Sequence, residues 1–223
     1  MNFKVDTNYI AQLIKEAQSP STDDPIKKTI QKGLQSSCSI YCKSSKRQWS
    51  GSGFHVGNGL IITAGHVVPL DEVITEINIT FDNQNFFPAK FVASNPDIDT
   101  GAVYCKSAES FPSLKFGDSN KLELGDVIIV IGSPEGFHDT ATVGRVSNVH
   151  QTLGPQAPSK AWQDIIFIDA DILEGSSGGM VIGLDGFVYG IVMGVTGQHS
   201  EVGIGENSIS PSNKISEFIS KLV

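Results

Sequence analysis

From Cys38 onward the chain reads as short apolar runs cut by turn residues, and this constrains its fold more than any other feature. The runs include VITEINITF, FFPAKFVAS, TGAVYC, DVIIVIG, TATVGRVSNV, DIIFIDA, GMVIG and FVYGIVMG, most of them rich in Val, Ile and Phe. Turn signals stand between them. GFHVGNGLIIT contains Asn58-Gly59, which supplies the positive φ angles of a tight hairpin, and Asp185-Gly186 gives a second such signal. Strands at this density, with turns between them, predict an all-β barrel or sandwich.

The two ends differ from this body. In residues 1–35, Ile10, Leu13 and Ile14 recur at helical spacing. Asp24 followed by Pro25 is a good cap and first-turn pair, after which Ile26, Ile30 and Leu34 share one face. Two short helices joined by the polar segment Ser19 to Asp24 are expected, forming a helical extension packed on the main domain. At the other end, Ser212 can cap a helix over residues 212–222, with Ile215, Phe218, Ile219 and Leu222 as its apolar stripe.

Net charge and cysteine count exclude several function classes. The chain carries a net charge of -8 and no basic stripe, so nucleic acid is not an expected partner. No stretch approaches 18 consecutive apolar residues, and MNFKVDTNYIAQLIKEAQ has no apolar core of the kind a secretory signal needs. No membrane partner and a cytoplasmic location are therefore expected. Cys38, Cys42 and Cys105 are too few, and odd in number, for a disulfide framework. Cys38, Ile40 and Cys42 alternate as one face of a strand, which reads as core, and no companion ligands suggest a metal site.

Three segments carry chemistry together. IITAGHVV (61–68) brings a His into a small-residue turn between apolar runs. NPDIDTGAV (95–103) sets an Asp just before a strand, with Asp99 preferred over Asp97. EGSSGGMVIG (174–183) embeds a Ser in glycines, where backbone can approach a reacting group closely. A Ser hydroxyl is a weak nucleophile until a base takes its proton. His is the side chain best suited to that near neutral pH, and a buried carboxylate fixes its tautomer. The order His66, Asp99, Ser177 is that of chymotrypsin, not of subtilisin or the α/β-hydrolases.

Over about residues 50–215 the chain resembles the trypsin-like peptidase superfamily, and most of all its Deg/HtrA branch. The likeness is carried by GFHVGNGLIITAGHVV, LGDVIIVIGSPEGFHDTATVGRVSNV and DADILEGSSGGMVIGLDGFVYGIV. It implies two six-stranded antiparallel β-barrels, about 36–115 and 116–210, within one protease domain (36–223) whose active site lies in the cleft between them. It also implies a serine endopeptidase acting on protein or peptide substrates through an acyl-enzyme, without metal or organic cofactor. Ser177 corresponds to the nucleophile, His66 to the base and Asp99 to the orienting carboxylate. The N–H groups of Gly175 and Ser177 correspond to the oxyanion hole.

The sequence also departs from that pattern. Ser176 replaces the acid that precedes the nucleophile in secreted trypsins, so activation by a buried ion pair with a new N-terminus is not expected. The chain ends at Val223, so the PDZ domains usual in the branch are expected to be absent. Asp171, six residues before Ser177, corresponds to the base of the pocket that selects Arg or Lys in trypsin, whereas Deg/HtrA relatives usually carry a small apolar residue there. Val195 corresponds to the pocket mouth. The alternative is a catalytically silent or latent protease-like protein that binds peptides as a scaffold.

Overall fold

Asp24 starts a helix as its side chain predicts. In the computed structural model, which describes residues 24–133, 140–153, 159–196 and 206–222, its carboxylate accepts the N–H groups of Ile26 and Lys27 at 2.9 and 3.4 Å. Pro25 takes the first helical position, where an N–H would have no partner anyway. This helix, α1 (Pro25–Leu34), turns Ile26, Ile30 and Leu34 onto the core. Gly33 sits where a Cβ would collide with the Ile131 side chain, so helix and sheet touch through it. The helix expected around Ile10, Leu13 and Ile14 lies outside the described residues.

The first sheet holds β1 (Ser37–Ser44), β2 (Gln48–Gly57), β3 (Leu60–Ala64), β4 (Ile74–Thr80), β5 (Phe87–Pro88), β6 (Lys90–Asn95) and β7 (Thr100–Tyr104). All pairs are antiparallel, in the order β5-β4-β1-β2-β3-β7-β6. The two residues of the β2–β3 turn, Asn58 and Gly59, have φ of 51° and 74°, as a two-residue primed hairpin demands. Only Ala89 separates β5 from β6, and its N–H still reaches the Ile77 carbonyl at 2.8 Å. Residues 87–95 thus leave β4 and join β7 as one bent strand, and the sheet curls until its two ends meet through the chain. Pro88, which has no N–H to give, stands at the break.

The second sheet closes as a six-stranded barrel, in the order β10-β13-β12-β11-β8-β9. Its strands are β8 (Val127–Gly132), β9 (Thr140–Gln151), β10 (Ile165–Ile168), β11 (Met180–Gly183), β12 (Val188–Thr196) and β13 (Glu206–Pro211). The all-β, trypsin-like architecture expected from the sequence is the one found: this second sheet is a closed six-stranded barrel, and the first is a curled sheet of seven strands because one bent strand is split at Ala89 into β5 and β6. The C-terminal helix, α2 (Ser212–Ser220), starts one residue differently: Pro211 holds the cap position, and the Ser212 hydroxyl donates instead to the Gly117 carbonyl at 2.7 Å. No described helix is long and apolar enough to cross a membrane.

The two sheets share apolar packing. Phe54 and Ile62 of the first pack with Ile131, Met180 and Ile191 of the second, and α2 adds Ile215 and Phe218. Cys38, Cys42 and Cys105 lie in the separate core of the first sheet, buried and unpaired. Burial pushes the Cys42 thiol up to about 12, and burial followed by the neighbouring Cys105 pushes Cys38 up as well. Because the thiolate is the reactive form, iodoacetamide at pH 8 should leave Cys38 and Cys42 unmodified in the folded protein and alkylate them in urea. Peptide mass mapping after a timed pulse checks this; rapid alkylation of the folded chain at either residue would contradict it.

Candidate active site

β3 runs directly into a single 3-10 turn, Gly65–Val67, that carries His66. Gly65 precedes it for a steric reason: a Cβ there would press on the Asp99 carbonyl carbon at 3.1 Å and on its Oδ1 at 3.2 Å. Asp99 stands at the start of β7 with φ of 45°, a left-handed conformation that Asp tolerates better than most residues. Its carboxylate meets the imidazole squarely. His66 Nδ1 lies 2.8 Å from Oδ2 and 3.0 Å from Oδ1, and the His66 backbone N–H donates to Oδ1 at 2.9 Å. A carboxylate can only accept, so Nδ1 carries the proton and Nε2 of the neutral ring is left as an acceptor. The Asp99 side chain is 15% exposed and that of His66 49%. Asp97, the other acid of this segment, is 60% exposed and faces Lys160 Nζ at 3.4 Å instead.

The loop between Leu173 and Gly179 brings Ser177 to the same region. Gly178, with φ of 82°, is wedged so tightly that a Cβ would overlap the Ser52 carbonyl and the Thr63 hydroxyl and come within 2.6 Å of the Ala64 nitrogen. The loop is therefore pressed on the end of β3, two residues from His66. Part of its backbone is tied down by hydrogen bonds. The N–H of Ser176 donates to the Leu173 carbonyl (3.0 Å), that of Gly178 to Val192 (2.9 Å) and that of Gly179 to Ser176 (2.8 Å). Among the described residues, the N–H groups of Gly175 and Ser177 donate to no protein acceptor. Gly175 itself has φ of 89°. Ser177 Oγ and His66 share no hydrogen bond among the described residues.

Beside His66 opens a cleft of about 540 Å³ whose apolar walls are Pro69, Leu70, Pro96, Trp162 and Met193. It draws on both halves of the molecule, and for that reason Trp162 and Met193 gave no sequence signal: the spacing from His66 says nothing about it. Asp171 lies outside that cleft, at a small separate depression lined also by Val130, Thr142, Leu173 and Ser176, the neighbour of Ser177. It is exposed rather than buried, and its backbone carbonyl accepts the Thr142 hydroxyl at 2.8 Å. Val195 stands on β12 opposite Asn207, and its side chain lies outside the described residues.

The remaining histidines have other occupations. His55 is buried, with Nδ1 donating to the carbonyls of Phe111 (3.0 Å) and Pro112 (3.1 Å) and Nε2 accepting from Gly59 N–H (3.2 Å). His150 pairs with Asp164 at 2.7 Å on the surface. His138 and His199 lie outside the described residues.

The family model described as "Trypsin-like peptidase domain" matches residues 51–191. The chain belongs to the trypsin-like peptidase family. This peptidase domain is 36% identical over 163 residues to the "Probable periplasmic serine endoprotease DegP-like" of Chlamydia pneumoniae, covering 72% of the chain and 32% of that relative. The like-named protein of Marinomonas sp. (strain MWYL1) is 35% identical over 150 residues, 67% of the chain and 30% of the relative. In Haemophilus influenzae a "Probable periplasmic serine protease do/HhoA-like" is 29% identical over 187 residues, 80% and 38% respectively. The chain thus spans about a third of the length of the curated relatives it matches. Among solved structures, the "HtrA-type protease AlgW with tripeptide" shares the fold with a TM-score of 0.77 at 22% identity, covering 88% of the peptidase chain and 62% of its own.

These relatives overturn one expectation. They are named periplasmic, against the cytoplasmic location drawn from the missing apolar segment and the low cysteine count. The physical reason is that the thiols carried no information on compartment. All three are buried in a core, and shielded, unpaired thiols persist in an oxidising environment as well as in a reducing one.

Proposed function

We propose that this chain is a serine endopeptidase that cleaves peptide bonds through an acyl-enzyme on Ser177. His66 Nε2 takes the Ser177 proton as Oγ attacks the substrate carbonyl carbon, and Asp99 stabilises the imidazolium that results. The tetrahedral oxyanion accepts the N–H groups of Gly175 and Ser177. His66 then returns its proton to the leaving amine as the carbon–nitrogen bond breaks. Water, activated by the same His66, releases the acyl group and restores the Ser177 hydroxyl. The hydrogen bond from Ser177 Oγ to Nε2 belongs to the substrate complex, where catalytic hydrogen bonds commonly tighten.

The observation that carries this reading is the pair of unclaimed N–H groups. The N–H groups of Ser176, Gly178 and Gly179 are engaged within the protein, whereas those of Gly175 and Ser177 are left to an outside acceptor; two such donors on either side of Ser176, in a loop pressed on the strand that leads to the His–Asp pair, suit an anion. A scaffold that only binds peptides has no need of an imidazole held in one tautomer. Substrates are taken to be polypeptides, as the name of a serine endoprotease implies for the relatives. Asp171, being exposed, is a solvated charge whose pull on a substrate Arg or Lys is worth roughly 0–1 kcal/mol, which gives a bias and no strict selection.

The cleft beside His66 is proposed to take an apolar substrate side chain. Burying one large apolar group stabilises by about 1.5–3 kcal/mol, so removing the Trp162 wall should be felt in binding. With a fluorogenic peptide carrying Leu or Phe near the scissile bond, Trp162→Ala is expected to raise KM about tenfold with kcat within about threefold. A wild-type protein that degrades neither such peptides nor unfolded casein would count against the proposed activity. A Trp162→Ala protein with unchanged KM would count against the cleft alone.

A further inference from the structure

Ser52, on β2 of the first sheet, is fully buried and uses every polar atom it has. Its N–H donates to the Ser177 carbonyl at 2.8 Å. Its hydroxyl donates to the Gly175 carbonyl at 2.7 Å and accepts from the Ser133 N–H at 2.8 Å. Its own carbonyl accepts the Thr63 hydroxyl at 2.7 Å. The direction of each hydroxyl bond is forced, since a carbonyl cannot donate and an amide N–H cannot accept. Ser52 therefore holds, from the opposite sheet, the carbonyls of Gly175 and Ser177, the two residues whose N–H groups are proposed to form the oxyanion hole.

This matters because peptide planes are rigid units joined at Cα atoms: the plane carrying the Ser177 N–H lies between the two planes whose carbonyls Ser52 holds, and the plane carrying the Gly175 N–H adjoins the first of them. Gly175 has φ of 89°, a conformation no side chain holds in place and one glycine leaves readily. Pinning the Gly175 carbonyl fixes the plane that follows this φ, and pinning the Ser177 carbonyl fixes the plane that follows the second N–H. We propose that Ser52 is the positioning residue of the oxyanion hole. It reaches neither substrate nor reacting atoms, and it keeps the two N–H groups convergent by clamping the loop from behind. The inference rests on the oxyanion hole proposed above. It adds a consequence for how the halves cooperate: β2 supplies a rigid buttress for a loop that belongs to the other barrel.

Ser52→Ala removes the hydroxyl without adding bulk and leaves the Gly175 carbonyl and the Ser133 N–H without their partner. The loop can then rotate, and misplacement of a catalytic group by about 1 Å costs on the order of a hundredfold. The expected result is a fall in kcat of about 30- to 100-fold with KM within about twofold, and an equal loss of affinity for a peptidyl boronate, whose adduct places an oxygen in the hole. Ser52→Cys keeps the size but is a weak donor and should fall between the two. Ile79→Val, in the separate core of the first sheet, loosens packing without touching the loop and should leave kcat unchanged. Amide hydrogen exchange reads the same clamp without any turnover: exchange over residues 173–179 should quicken at least tenfold in both Ser52 variants, with β12 unaffected. Unaltered exchange over that loop in a folded variant would overturn the clamp whatever the activity of the protein. So would a kcat within twofold of wild type, or a rise in KM that accounts for the whole loss. If exchange and boronate affinity change as stated while wild type shows no peptide hydrolysis, Ser52 keeps its positioning role and the endopeptidase reading fails.

Discussion

Ser177→Ala is expected to lower kcat by about 10⁶ on any peptide the protein cleaves, with KM little changed. The size follows from how the parts depend on one another. Without the hydroxyl there is no atom for His66 to deprotonate and no acyl-enzyme, so what remains is the attack of water helped only by the free N–H groups and by substrate binding. His66→Ala should cost about as much for the same reason, and the double variant should be no worse than either single one, because each removes the whole nucleophilic route. Stopped-time assays on a fluorogenic peptide, with thermal melts to show that each variant is folded, measure this. Losses that simply add in the double variant would mean that the two residues do not act together.

Asp99→Asn is expected to lower kcat by about 10⁴ while leaving the backbone intact. At present the carboxylate accepts at Oδ2 from the ring (2.8 Å) and at Oδ1 from the His66 N–H (2.9 Å). An amide keeps one acceptor oxygen but replaces the other with a donor. Satisfying the backbone N–H with the oxygen turns the NH₂ toward Nδ1, which must then lose its proton and become an acceptor. The proton moves to Nε2, and the base faces Ser177 in the wrong tautomer. The sharp control is Asp97→Asn. That residue is 60% exposed and, among the described residues, its carboxylate pairs with Lys160, so its loss should change kcat by less than about threefold. A severe Asp97→Asn and a mild Asp99→Asn would reverse the assignment.

How far the sequence announces this arrangement depends on the range of the interactions. The hairpin at Asn58-Gly59 and the helix start at Asp24-Pro25 are local matters of φ and of unpaired N–H groups, and they are legible from two or three residues. The small residues around His66 and Ser177 are legible for a related reason: Gly65 and Gly178 stand where a side chain would collide with Asp99 and with β3, so their presence signals a close approach. Asp99 was preferred over Asp97 from its place just before a strand; what the sequence lacks is the direction each acid faces, Asp99 toward His66 and Asp97 toward Lys160. The apolar cleft was not legible at all. Leu70, Trp162 and Met193 are far apart in the chain and meet only when the two sheets pack. Ser52 was hidden for a similar reason. A serine between glycines reads as turn chemistry, and only its burial against a loop more than a hundred residues away reveals a clamp. The expectation for Asp171 came from spacing alone, which fixes its place in the chain and not its exposure.

The proposed chemistry requires above all that Ser177 be a nucleophile that the site itself activates. The direct measurement is reaction of the folded wild-type protein with a fluorophosphonate, followed by peptide mass mapping of the adduct. A single stoichiometric adduct on Ser177 is expected, absent from Ser177→Ala and from His66→Ala, and absent from the urea-unfolded chain. An adduct on another residue, or a folded protein that stays unmodified while a control serine protease is fully labelled, would contradict it.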